Sequence, residues 1–259
     1  MDSPKLILRR FLNRVLRRAL RARSRPYRLD GAPVTLVISP HQDDAHLGCG
    51  GLLARRRLLG CPVHLLHITD GSASHPGHPI LAPASVAALR RAEARAAARV
   101  TGIEQEFVFF LDSPDGMLDR LESAAAESLA GRIAGAMRET RPDEVFLPCR
   151  RDLSSEHEAT FQIFQRALKI SGLHPRVLEY PIWSCWNQAA LFRLLLSSCR
   201  VSRLAFFGYE GIKHRALAEY RSQFEPVPPW TAPVLPHGFL SFFLPAEEFF
   251  FEAAPSPDP

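Results

Sequence analysis

His41, Asp43 and Asp44 share one short segment, with His46 and the glycines at 48, 50 and 51 close behind. Two adjacent carboxylates repel each other, and burying them costs several kcal/mol unless something cationic offsets the charge. A divalent metal is the simplest offset. An imidazole and a carboxylate, joined by a second imidazole from elsewhere in the chain, form a recognised zinc ligand set. The segment follows Val34-Thr-Leu-Val-Ile38, an apolar run bounded by Pro33 and Pro40 that reads as a buried strand. Leu52-Leu53-Ala54 then begins a helix. In an open α/β sheet, ligands bind in the crevice beyond the carboxyl ends of the strands, where these side chains fall.

The segment resembles the His-Pro-Asp-Asp-Glu motif of the LmbE-like, or PIG-L-type, zinc N-deacetylases, which remove acetyl groups from N-acetylglucosamine-containing substrates. The resemblance implies that His41 and Asp44 are metal ligands and that Asp43 is the general base. Gln42 stands where the family has proline, and Ala45 where it has glutamate. Further on, the run Arg150 to Thr160 resembles the family's second metal motif, His-Pro-Asp-His ahead of a helix. His157 takes the place of its metal-binding histidine and Glu156 that of its aspartate. Ser154 replaces the first histidine, which in the family assists the reacting carbonyl. The implied cofactor is one Zn2+ per chain, or another divalent metal, on His41, Asp44 and His157. The oxyanion donor is left open, with His46 and Ser154 as candidate aids.

Other residues extend the resemblance over about residues 33–225. An Arg-x-x-Glu helix follows the Thr69-Asp70-Gly71 turn. There Arg90 matches the family's substrate-holding arginine, with Arg91 next to it, although Arg90 and Glu93 also read as a plain helix-surface ion pair. Asp112, and Asp115 in the same turn, could bond a sugar hydroxyl, while Pro114-Asp115-Gly116 is equally an ordinary turn. Trp183 and Trp186 suit stacking on sugar faces, or core packing. Lys213 to Gln223 resembles a family helix, with Tyr220 where histidine is usual.

These residues need a scaffold. Strands alternate with helices along most of the chain, so the expected fold is α/β: a Rossmann-like parallel sheet with helices on both faces. The expected organisation is a basic N-terminal segment over 1–30, a deacetylase domain over 31–251 and a frayed tail over 252–259. With 259 residues and 46% hydrophobic content, the chain can bury a sizeable core. Cys49, Cys61, Cys149, Cys185 and Cys199 are scattered, with no Cys-x-x-Cys pair, which suits a reducing compartment. The loop bearing His75 and His78 carries Pro76 and Gly77 and reads as flexible, with exposed histidines.

The net charge of +5 is unevenly placed. Residues 1–30 hold ten Lys or Arg against Asp2 and Asp30, a local charge of +8 that leaves −3 for the remainder. Basicity confined to one terminus argues against a nucleic-acid partner. Leu8, Leu12, Val15, Leu16, Ala19 and Leu20 recur at helical spacing among arginines, an amphipathic basic helix. Arginines interrupt it too often for a signal peptide. Three readings stand for residues 1–28: peripheral contact with an anionic membrane, packing on the body, or a disordered arm. No apolar run approaches the roughly 20 residues needed to span a bilayer, and the expected location is cytoplasmic or peripheral at the inner membrane face.

The activity implied is metal-dependent removal of acetate from a small-molecule or lipid-linked N-acetyl amino sugar. Two alternatives stand beside it. One is a metal-containing sugar-binding protein without turnover. The other is a metal-dependent phosphoesterase, which would need a second metal or a phosphate-gripping loop such as Gly48 to Gly51.

Overall fold

In the computed structural model, which describes residues 3–252, the chain opens with helix α1 (Pro4–Arg23) and a two-residue strand β1 (Arg25–Pro26). Strand and helix then alternate: β2 (Thr35–Ser39), α2 (Asp44–Leu58), β3 (Val63–Thr69), α3 (Pro83–Val100), β4 (Val108–Ser113), α4 (Ser123–Thr140), β5 (Glu144–Pro148), α5 (Ser155–Ser171) and β6 (Arg176–Tyr180). Helices α6 (Trp183–Trp186) and α7 (Gln188–Leu196) lead to β7 (Arg200–Ala205), α8 (Glu210–Ala218), α9 (Arg221–Phe224) and finally β8 (Glu247–Glu252). Of the expected tail, Glu252 ends β8, and residues 253–259 lie outside the described residues.

The eight strands form one sheet in the order β1-β7-β8-β6-β5-β2-β3-β4. From β6 through β4 every pairing is parallel. Strands covered by helices on both faces are apolar throughout rather than alternating, and β2 and β5 are buried along their whole lengths. After β2 the chain winds outward to β3 and β4, whereas β5 and β6 lie on its other side. The switch point therefore falls between β2 and β5, paired through Thr35–Glu144, Leu36–Val145 and Val37–Phe146.

The sheet is not wholly parallel as expected. Glu247-Glu-Phe-Phe-Phe-Glu252 inserts between β6 and β7, antiparallel to both. Its flanking acids hide the strand pattern, yet its rings alternate: Phe249 and Phe251 enter one apolar cluster and Phe250 another. Glu247 is matched by Arg21 and Arg203, and Glu248 by Lys213.

The glycines of α2 serve close packing. A Cβ at Gly48 would stand 2.2 Å from the Tyr180 ring, and one at Gly51 would stand 2.4 Å from Phe206. The anion they hold is internal. Glu248 accepts hydrogen bonds from the backbone N–H groups of Gly51 (2.7 Å) and Leu52 (2.9 Å), and Lys213 donates to both Glu248 and the Leu47 carbonyl. A phosphate-gripping role for Gly48 to Gly51 is thereby excluded, because the chain's own carboxylate fills it.

Helix α1 packs on the body, but by a narrower stripe than its sequence suggests. Leu6, Asn13 and Leu20 are buried, while Leu8, Leu12 and Val15 stay exposed. Among the described residues no helix is long and apolar enough to cross a membrane.

The Lys213–Glu248 pair is fully enclosed, and removing one partner from such a pair strands a buried charge. Lys213→Met is expected to lower stability by about 3–5 kcal/mol, with part of the loss recovered when Glu248→Gln is added. Urea unfolding midpoints of the two variants check this, and a single variant within 1 kcal/mol of the parent would contradict it.

Candidate functional site

Parallel pairing of β2 with β5 places their carboxyl ends side by side, and the two motifs meet there. The turn after β2 carries His41 and Asp43, and Asp44 opens α2, where a carboxylate is favoured by the helix dipole. After β5, Asp152 and the cap residue Ser154 lead into α5, which presents His157 from its first turn. The His41 and His157 ring centroids lie 5.9 Å apart. One donor atom each from His41, Asp44 and His157 falls within 4.8 Å of the others, a spacing that could hold one metal ion.

Each imidazole is aimed by a carboxylate on its far side. His157 Nδ1 donates to Asp152 at 2.8 Å, which turns Nε2 toward Asp44 at 3.4 Å. That Nε2 is buried and has no hydrogen-bond partner among the described residues. A buried ring nitrogen without a hydrogen-bond partner in a closed acidic site can serve as a metal ligand once its proton is displaced, so the donor set fits a divalent cation. Asp152 is itself fixed by the N–H groups of Ile182, Trp183 and Ser184 and by the Ser184 hydroxyl. His41 Nε2 donates to Glu156 at 2.7 Å, leaving Nδ1 on the Asp44 side at 3.1 Å.

His41, Asp115 and Glu156 form a second cluster of metal-type donors, which no sequence pattern marked out. It shares His41, and the 2.7 Å contact from Nε2 to Glu156 is a hydrogen bond that fixes the ring. This cluster supports the first rather than adding a second centre.

Charge explains the electrostatics. Burial works against the His157 imidazolium, but Asp44 and the Asp152 hydrogen bond raise its pKa to about 9. Burial likewise opposes charge on His41, and its bonds to Asp44 and Glu156 hold its pKa well above the usual histidine value. Asp44 is held well below the carboxylate range, despite its burial, by those same histidines. Without a metal, then, the acids keep protons on both rings, and a cation must displace them. Burial pushes the Asp43 carboxyl up, against the pull of Arg90, whose Nη2 donates to it at 2.9 Å.

A cavity of about 240 Å³ opens over this cluster. His41, Asp43, Asp44 and Arg90 line it, with Trp183 and Phe239 on an apolar wall and Gln223 beside them. Five expected residues take other positions than the sequence suggested. Asp112 projects outward from the end of β4 and pairs with Arg91, so Asp115, which accepts from Thr69 and from Ala73 N–H, faces the cavity instead. His46 is fully buried behind the site, bonded to the Tyr220 hydroxyl (2.8 Å) and Thr101 (3.3 Å), and does not reach the cavity. Ser154 caps α5, accepting from the His157 N–H at 3.4 Å, and does not line the cavity either. His75 and His78 are buried rather than exposed, packed on the Trp230 ring at centroid distances of 5.4 and 5.0 Å.

Asp152 and Phe239 are not marked by the sequence, and Gln223 is marked only as the last residue of the family-like helix. Asp152 lies five residues before His157, which is a local signal for a carboxylate–histidine pair. Phe239 and Gln223 reach the cavity from distant segments, and for Phe239 no local pattern announces it.

Residues 36–168 match the PIG-L family, described as GlcNAc-PI de-N-acetylase, and this is just over half of the chain. The chain belongs to that family. The matched span holds both motifs. Among solved structures, a triple mutant of a deacetylase from the teicoplanin biosynthetic pathway shares 20% identity, with 87% of this chain and 100% of that one covered, at a TM-score of 0.67. N,N'-diacetylchitobiose deacetylase from Pyrococcus horikoshii shares 21% identity over 86% of this chain and 81% of that one, with a TM-score of 0.57. GalB, the 4-carboxy-2-hydroxymuconate hydratase from Pseudomonas putida KT2440, shares 19% identity over 82% of each chain, with a TM-score of 0.62. One architecture thus carries amide hydrolysis in some proteins and hydration in another, so the reaction must be argued from the site.

Metal binding tests this geometry. The chelator-treated chain is expected to take up one Zn2+, and Asp44→Asn or His157→Ala to abolish that uptake in calorimetric titration. Asp152→Asn, which loosens the His157 ring without removing a ligand, should weaken it by roughly 10–100-fold. Unchanged uptake by His157→Ala would contradict the assignment. Ser154→Ala removes only a helix cap, so it should cost about 1 kcal/mol of stability and leave metal content unchanged.

Proposed function

We propose that this PIG-L family member is a metal-dependent N-deacetylase acting on an N-acetyl amino sugar conjugate. The observation that carries the reading is a His41–Asp44–His157 donor set, of which His41 and Asp44 line the cavity and His157 lies buried behind them, beside a separate buried carboxylate, Asp43. A divalent cation held by those three residues, zinc being the best match to their chemistry, supplies Lewis-acid polarisation and brings a bound water's pKa down to about 7.

The chain's own residues supply the rest. Asp43 accepts a proton as water adds to the acetamide carbonyl carbon, and it passes a proton to the nitrogen as the C–N bond breaks. The products are acetate and the free amine. Arg90 holds Asp43 in position, and its guanidinium at hydrogen-bond distance opposes the rise that burial gives the Asp43 carboxyl. Trp183 and Phe239 offer apolar faces that suit the CH-rich side of a sugar ring, and Asp115 and Gln223 offer polar atoms for its hydroxyls. His41 is the only imidazole lining the cavity among the described residues, so no histidine is left to act as an auxiliary oxyanion donor. Loss of such a donor costs about 10²–10³ in kcat elsewhere. Turnover limited by that absence is part of the reading.

The same feature favours the second reading, a protein that binds the acetylated sugar without hydrolysing it. Metal content does not separate the two, whereas acetate release does. With zinc added back, acetate is expected from a screen of N-acetylglucosaminyl conjugates, and Asp43→Asn should lower the rate by about 10²–10⁴-fold while retaining the metal. Normal turnover by that variant would remove Asp43 as the base. Absence of acetate from every conjugate, with binding intact, would establish the second reading.

A further inference from the structure

Helix α1 shows water two unlike surfaces. Its inner stripe is anchored: Leu20 joins a core cluster, and the Asn13 amide donates to the Cys185 carbonyl at 2.8 Å. On one flank, Arg10, Arg14, Arg17, Arg18 and Arg21 line a cleft of about 550 Å³, closed on the other side by Phe242, Pro245 and Glu247. Glu247 is the only acid lining it, and its carboxylate is already taken by Arg21 and Arg203. Arg14 and Arg18 are exposed and have no ion-pair partner among the described residues. The cleft is therefore a surface with more positive than negative charge, on which Arg14 and Arg18 are the cations exposed to solvent.

The outward face of the same helix is apolar. Ile7, Leu8, Phe11, Leu12 and Val15 stand on successive turns, each between 39% and 60% exposed. Phe192 and Leu196, on the neighbouring α7, are exposed as well. A run of large apolar side chains facing water marks a surface awaiting a partner. An apolar face bordered by arginines complements an anionic bilayer, whose acyl region and phosphates lie in that order from the inside outward. A second copy of the chain is a poorer fit, because a symmetric contact through α1 would set two strongly basic segments against each other.

We propose that α1 is a membrane-docking helix, lying in the surface of an anionic bilayer with Ile7, Leu8, Phe11, Leu12 and Val15 among the acyl chains. Arg14, Arg18 and the arginine cleft then meet the headgroup phosphates. The helix also adjoins the candidate active site. The Arg9 guanidinium lies 4.0 Å from the centre of the Trp186 ring, Trp186 packs on Phe239, and Phe239 and Trp183 both line the cavity. Docking through α1 thus holds the cavity close to the bilayer surface.

Flotation of the full chain with phosphatidylcholine vesicles, with and without phosphatidylglycerol, tests the proposal. Binding is expected only to the anionic vesicles, weakening as salt rises. Arg14→Glu with Arg18→Glu should reduce it at least roughly tenfold, and Leu8→Ser with Phe11→Ser likewise. Circular dichroism melts of these surface variants, expected to match the parent, exclude unfolding as the cause. Equal flotation on neutral vesicles, no flotation on anionic ones, or unaffected variants would overturn the proposal. So would a concentration-dependent dimer that Phe11→Ser dissociates in a chain that ignores vesicles. A deacetylase reading that failed on the soluble conjugates would leave the flotation result standing.

Discussion

Five carboxylates crowd under one cavity: Asp43, Asp44, Asp115, Asp152 and Glu156, each nearly or wholly buried. Of the described residues, Arg90 is the only guanidinium bonded among them, and the remaining positive charge there comes from His41 and His157. Such an arrangement is stable only if every acid has a defined duty. Asp152 is met by three backbone N–H groups, a hydroxyl and an imidazole, and Glu156 by the Leu118 N–H and His41. Asp115 is held by Thr69 and Ala73. Those three aim the rings and brace the turn. Asp115 and Glu156 also reach the cavity wall, while Asp44 lies between the two imidazoles and Asp43 beside Arg90. The deficit of positive charge that a dication would fill lies where the bare His157 nitrogen points.

This cluster depends on the strand order. His41 and His157 are far apart in sequence and become neighbours only because β2 and β5 are adjacent and parallel at the point where the sheet reverses its winding. The glycines that follow the first motif let α2 approach Tyr180 and Phe206, drawing Asp44 inward at the helix start. Lys213 and Glu248, drawn from two late segments, satisfy backbone groups of that same helix. The C-terminal half thus acts on the site from behind, through the seating of α2.

What the sequence made legible follows from range. The β2 and β5 runs, the two motifs and the Arg90 helix are local patterns, and each lies where its period and flanking residues indicated. Strand β8 was missed because charged residues bracket its rings, and their partners, Arg21, Arg203 and Lys213, are distant. Asp112 and Asp115 are equivalent in a linear reading, and only the backbone at the end of β4, with Asp112 at a φ of 48°, decides which faces the cavity. His46 is placed in register with the motif, but helix α2 turns it away toward Tyr220. In α1 the helical period was evident from sequence, yet the choice of buried stripe was set by what the body offers: Cys185, Gly238 and the β8 face.

Ser154 shows how a departure from a family pattern can be read physically. Its backbone is extended, at φ −123° and ψ 123°, and its hydroxyl turns back onto the His157 N–H, the geometry of a helix cap. A residue in that conformation works on the helix start, where His157 must be held against Asp152 and Asp44. The serine therefore steadies a metal-facing ring, whereas the histidine it replaces would act on the substrate. Ser154 thus acts on the backbone at the helix start, while the ring of His157 is oriented by Asp152. On the proposed deacetylase reading, the polarising charge at the carbonyl would then come almost wholly from a cation held by His41, Asp44 and His157.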